Sequence, residues 1–89
     1  MVRMFIKHRV GQYGPWRKEY DAFETQRPAF GVIGKAVYQD VADPDVVTVT
    51  HDFATLEAAK ALAASDALRQ AMAKAGVVGA PDIWFTNPA

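Results

Sequence analysis

Apolar and polar positions alternate from residue 2 to residue 10, with Met4, Ile6, His8 and Val10 on one side and Arg3, Phe5, Lys7 and Arg9 on the other. A period of two marks a strand with one buried face, and it predicts a first strand whose even-numbered side looks into the core. Gly11-Gln12-Tyr13-Gly14-Pro15 breaks the alternation. Pro15 suits the first position of a helix, where a missing N–H is harmless and the fixed φ is already helical, so the pattern predicts a helix from Trp16. At the helical repeat Tyr13, Trp16, Tyr20 and Phe23 fall within an arc of about 80°. Arg17, Lys18, Asp21 and Glu24 lie outside that arc, which leaves one strip of aromatics. Pro28 disfavours helical geometry at the residue before it and should end the helix near Arg27.

Residues 32–41 and 46–53 read as two strands joined by Ala42-Asp43-Pro44-Asp45, whose Asp and Pro favour a turn. In the second of them Val47, Val49, His51 and Phe53 share a face opposite Val46, Thr48, Thr50 and Asp52. Thr55 is a good N-cap for a helix over 56–64, with Glu57 in its first turn and Leu56, Ala59, Leu62 and Ala63 on its inner arc. Ser65 can cap a second short helix striped by Ala67, Leu68, Ala71, Met72 and Ala75, which Gly76 would stop. Pro81 precedes a last strand over 82–86, in which Trp84 and Phe85 point to opposite faces.

With right-handed crossovers this order predicts an α+β fold: a ferredoxin-like βαββαβ antiparallel sheet with helices on one face. The other face would carry Phe5, Val37, Val46 and one aromatic of the last strand. An apolar patch of that size is rarely left exposed, so a second copy packed face to face is expected, giving a homodimer with the architecture of a dimeric α+β barrel.

Composition supports that expectation. Residues 1–89 make one domain, and a chain of this length buries only about two-thirds of its unfolded surface. The absence of cysteine removes disulfides and thiolate metal sites and leaves oligomerisation as the stabiliser. Ten basic side chains balance ten acidic ones, without the basic excess that binding to nucleic acid requires. The first residues carry charges at short intervals rather than an apolar run, so neither a signal peptide nor a membrane span is expected and the protein reads as soluble and cytoplasmic.

Four stretches then carry a resemblance: His8-Arg9-Val10-x-x-Tyr13-x-x-Trp16; Val37-Tyr38-Gln39-Asp40 leading into Asp43-Pro44-Asp45; Leu56-Glu57-x-Ala59-Lys60; and Ala75-Gly76-Val77-Val78-Gly79-x-Pro81. Together they cover nearly the whole chain. The sequence resembles small dimeric α+β barrel proteins of the antibiotic-biosynthesis-monooxygenase superfamily. The resemblance implies the barrel fold and, in some members, cofactor-independent oxidation of aromatic compounds in a pocket between sheet and helices. Haem-degrading members use a histidine ligand with nearby Asn and Trp; here the only Asn is Asn87, in the tail, so neither haem nor any other cofactor is expected.

The candidate site residues follow from placement. His8 is the candidate base or hydrogen-bond donor, against the plainer reading of a core histidine satisfied by a backbone carbonyl. Tyr38 is the second candidate for managing protons, with Trp16 and Tyr20 as pocket walls. Arg27 would suit a carboxylate or phenolate ligand if the helix carries it onto the aromatic face, or would instead pair with helix-end carbonyls. His51 could line the same pocket or serve only in the core, and the antiparallel order sets it toward the other end of the sheet from His8. Two separated histidines fall short of the three converging ligands that a metal needs, so no metal site is expected. The function reads as a small-molecule-binding barrel, monooxygenase-like and acting on a small aromatic compound, or as a non-catalytic ligand-binding or structural dimer. A pocket of about 300 Å³ or more favours the first, and a filled core the second. RNA binding on the open sheet would need more stacked aromatics than Phe5 supplies.

Overall fold

The computed structural model describes all 89 residues. Its strands are β1 (Val2–Val10), β2 (Val32–Gln39), β3 (Val46–Phe53) and β4 (Val77–Thr86), and its helices α1 (Tyr13–Ala22), α2 (Leu56–Ala63) and α3 (Asp66–Ala75). Two 3₁₀ turns, Phe23–Thr25 and Pro28–Phe30, connect α1 to β2. The strands form one antiparallel sheet in the order β2-β3-β1-β4, the ferredoxin-like arrangement. No helix is long and apolar enough to cross a membrane.

The core sits between the sheet and the helices. Met4, Ile6, His8 and Val10 are buried on β1, and Val47, Val49, His51 and Phe53 on β3. The register opposes Met4 to His51, Ile6 to Val49 and His8 to Val47, so these two central strands present one continuous inner face. Ala59 and Leu62 of α2 and Leu68 and Ala75 of α3 close over it. Both helices start as the sequence suggests: the Ala58 N–H donates to Thr55 Oγ1 at 3.2 Å and the Leu68 N–H to Ser65 Oγ at 3.1 Å. Gly76 ends α3 at φ 84°, a left-handed conformation that only glycine adopts without strain. Leu56, placed on the inner arc of α2 by the sequence, is 42% exposed and lies outside the core.

Elsewhere long-range contacts shift the boundaries. α1 starts at Tyr13 rather than Trp16, because Asp45 of the β2–β3 loop accepts the Tyr13 N–H at 3.2 Å and so caps the helix from 32 residues away. Pro15 then occupies the third helical position, whose N–H has no partner within the helix in any case. Arg27 has φ −57° and ψ −45°, helical values that the following proline disfavours. Its carbonyl accepts the N–H groups of Phe30 and Val32, and its buried side chain is tied at three points, which together hold that conformation. β4 begins at Val77, not after Pro81: a register shift opposite Lys7–Arg9 and Gly79 at φ 75° carry the strand through the proline. The strand lies at the sheet edge, where a missing N–H costs no ladder bond.

β2 ends at Gln39, two residues short of the expected 41, and its faces are the reverse of those expected. A register shift between Val32 and Gly34 sets the phase, so Val37 opposes Val49 on the helix side and Tyr38 opposes Thr48 on the open side. A one-residue slip moves every following side chain to the other face. The open face therefore carries Tyr38 but not Val37. Phe5 and Trp84 do lie there, stacked with centroids 5.1 Å apart and ring planes 2° from parallel, while Phe85 opposes Met4 and packs against the core.

Candidate functional site

α1 lays its aromatic strip against the inner face of β1 and β3. Trp16 meets His8 edge-on at 5.7 Å and stacks on Tyr20 at 5.1 Å, and Tyr20 lies 6.4 Å from the ring of His51. The four rings form a row running from one end of the inner face toward the other. The histidines themselves are four residues apart in register, about 13 Å along the strands, so they communicate only through this row.

Between the row, the sheet floor and α3 lies a cavity. Ile6, His8, Val49 and His51 form its floor, and Met72 and Ala75 its far wall. Its free volume is about 40 Å³, and with the open mouth included the empty space is about 390 Å³. Such a space is large enough and polar enough to hold water. The mouth opens between α1 and α3 into a surface groove of about 370 Å³, which shares Glu19, Phe23 and Ala71 with the cavity. Lys74 Nζ of α3 and Glu19 Oε2 of α1 pair across that mouth at 3.7 Å.

Four buried polar atoms around this space have no hydrogen-bond partner: both ring nitrogens of His8, the Tyr20 hydroxyl and His51 Nδ1. Buried polar groups are nearly always paired, and each exception requires an explanation. The carbonyl partner that a plain core histidine would need is absent at His8. Burial lowers the His8 pKa and raises that of Tyr20, where the nearby Arg27 and Arg17 partly oppose the shift. His51 is pushed down to about 4, chiefly by burial and then by the charge of Arg27. All three side chains are therefore neutral at neutral pH.

Arg27 lines the cavity beside His51 and is 2% exposed. Its Nε donates to His51 Nε2 at 3.1 Å, its Nη2 to the Tyr20 carbonyl at 2.9 Å and its Nη1 to Glu24 Oε2 at 3.1 Å. The guanidinium also lies 4.1 Å from the Tyr20 ring centre. Arg27 thus bonds a helix-end carbonyl and also lines the cavity. Because His51 Nε2 accepts, the imidazole proton sits on Nδ1 and that N–H is the unpartnered donor.

The structure brings together His8, Trp16, Tyr20, Arg27 and His51 of the sequence candidates. Tyr38 is apart from them, on the open face and 58% exposed, for the register reason given above. Sequence reasoning missed the α3 wall and the Glu24–Lys35 pair that flanks Arg27. The small residues Ala71 and Ala75 beside the flexible Met72 were the available signal for the wall; nothing local signalled the ion pair. No group of three or more His, Asp or Glu side chains is placed to hold a metal ion.

No family model and no curated protein matches this sequence. Solved structures do match. An antibiotic biosynthesis monooxygenase superposes with TM-score 0.75 at 8% identity, covering 100% of this chain and 99% of its own. A candidate antibiotic biosynthesis monooxygenase from Caulobacter crescentus CB15 gives TM-score 0.77 at 17% identity, over 99% and 89% of the two chains. Rv0793 from Mycobacterium tuberculosis gives 0.74 at 13% identity, over 99% and 94%. The chain shares the ferredoxin-like α+β fold of these structures.

Proposed function

We propose that the protein is a homodimeric small-molecule-binding barrel, monooxygenase-like and independent of a bound cofactor, whose cavity between α1 and α3 takes a small aromatic compound. The observation that carries this reading is the set of four unpartnered polar atoms around a space bounded by aromatic rings. Leaving such groups unsatisfied costs about 1–3 kcal/mol each, which a polar ligand would offset while the apolar walls supplied affinity. A phenol fits this chemistry. Neutral His8 accepts the hydroxyl proton, and the electron-rich phenolate reacts with dioxygen at a ring carbon bearing hydrogen. One phenol and one O₂ give one quinone and one water, and neither atoms nor electrons require a further reductant.

Two measurements check the reading. Titration with single-ring phenols and quinones should shift the His8 and Trp16 NMR signals. With a phenol that turns over, His8→Ala should lower quinone formation by about 100-fold or more, the usual contribution of a positioned base. The small free volume of about 40 Å³ favours the alternative, a structural dimer. That alternative prevails if no compound moves either signal and His8→Ala merely loses stability.

The dimer rests on the uncovered sheet face, where stacked Phe5 and Trp84 and the exposed Tyr38 stand among ion-paired Arg3–Asp52 and Arg9–Asp43. Light scattering should give twice the chain mass at micromolar concentration, and a Phe5→Glu, Trp84→Glu double variant should give the monomer. A monomeric parent protein would overturn the barrel.

A further inference from the structure

Resting on the small-molecule reading above, we infer that the ligand is an anion: an aromatic carboxylate whose carboxylate group is seated against Arg27 in the cavity, its ring extending toward the mouth between α1 and α3. The first ground is charge. The Arg27 side chain is 3% exposed, yet its only carboxylate partner, Glu24, is 54% exposed and is shared with Lys35. Two cations thus face one anion. The nearby charges do not correct the excess: Asp52 is bound by Arg3 on the opposite face, Asp21 by Arg17, and Glu19 at the mouth by Lys74. A buried cation without a full counterion is costly, and a bound anion supplies what Glu24 does not.

The second ground is the direction of the hydrogen bonds. A guanidinium has five N–H donors. Arg27 uses three of its own, leaving two. The unpartnered Tyr20 O–H, on the ring over which the guanidinium lies, is a further donor. An ionised oxygen is acceptor-only and matches such a set, and the planar fork of arginine fits a carboxylate with two parallel bonds. The third ground is access: the cavity that Arg27 lines is open to the surface, so a ligand larger than its anionic group can enter. The rest of the ligand would occupy the mouth past Phe23 and Ala71, where the cavity joins the outer groove.

The test compares benzoate with benzamide, nearly equal in shape and different in charge, by calorimetry on the unmodified protein at neutral pH. Benzoate should bind at least about tenfold more tightly, the effect expected from one charge-assisted hydrogen bond. It should also shift the ¹⁵N signals of Arg27 Nε and His51 Nδ1. Arg27→Lys keeps a charge but loses the fork and should weaken benzoate more than benzamide. Equal binding of the two compounds, or benzoate binding that leaves the Arg27 and His51 signals unmoved, would overturn the anion inference while leaving the small-molecule reading intact. If neither compound nor any of the phenols binds, both fall.

Discussion

A Phe53→Ala variant should unfold with about 3–5 kcal/mol less free energy than the parent, the usual cost of emptying a fully buried aromatic site. Phe53 is fully inaccessible to solvent and closes the inner face at the end of β3, opposed by Val2 on β1 and Val32 on β2. Phe53 thus joins three strands of the sheet at this end of the core. A small domain has about 5–15 kcal/mol in all, so this one change removes about a fifth of the total or more. Urea unfolding is the measurement, with a lower midpoint at unchanged slope as the expected result. Val41→Ala, at the fully exposed hairpin tip, serves as the control and should stay within about 0.5 kcal/mol of the parent. Because Phe53 opposes Val2 and His8 opposes Val47, the two lie at opposite ends of the sheet. The folded fraction of the variant should therefore keep the parent His8 signals, which separates stability from the site.

The two central strands were legible in the sequence because each has one buried face and no irregularity, so strict alternation located Met4, Ile6, His8 and Val10 on one strand and Val47, Val49, His51 and Phe53 on the other. The edge strands were less legible. β2 and β4 each contain a register shift, at Val32–Gly34 and around Gly79, and a shift changes the phase of alternation without any compositional mark. That is why Tyr38, sound as a candidate by residue type, lies on the wrong face for the cavity. The start of α1 depends on Asp45, and the helical backbone of Arg27 on bonds to His51 and Glu24; no local rule contains such contacts. Of the site, the row of rings was legible from helical and strand periods. The charge environment of Arg27 was not, because Lys35 reaches Glu24 only through the packing of β2 beside the 3₁₀ turns.

Lowering the pH from neutral to about 4 should remove roughly 3 kcal/mol of stability through His51 alone. Folding moves its pKa from 6.5 to about 4, so between those values the unfolded chain binds a proton that the folded protein refuses. Stability is therefore full above 6.5 and falls as the pH drops through the window, with a slope set by the difference in bound protons. His8, lowered by its own burial, acts in the same direction. Exposed Glu24, held down chiefly by its bond from Lys35, and Asp43, held down chiefly by the Asp45 N–H, add their losses below the ordinary carboxylate range. The cause at His51 is specific: protonation would turn the acceptor Nε2 into a donor facing the Arg27 guanidinium, setting two buried cations against each other. His51→Gln, whose amide oxygen can still accept from Arg27, should flatten the stability profile between 6.5 and 4. By NMR, the folded parent should keep an uncharged His51 ring midway through that window, where a free imidazole is mostly protonated. A His51 that titrates at its ordinary value in the folded protein would show that its bond to Arg27 does not hold in solution, and the cavity would lose the geometry on which anion binding depends.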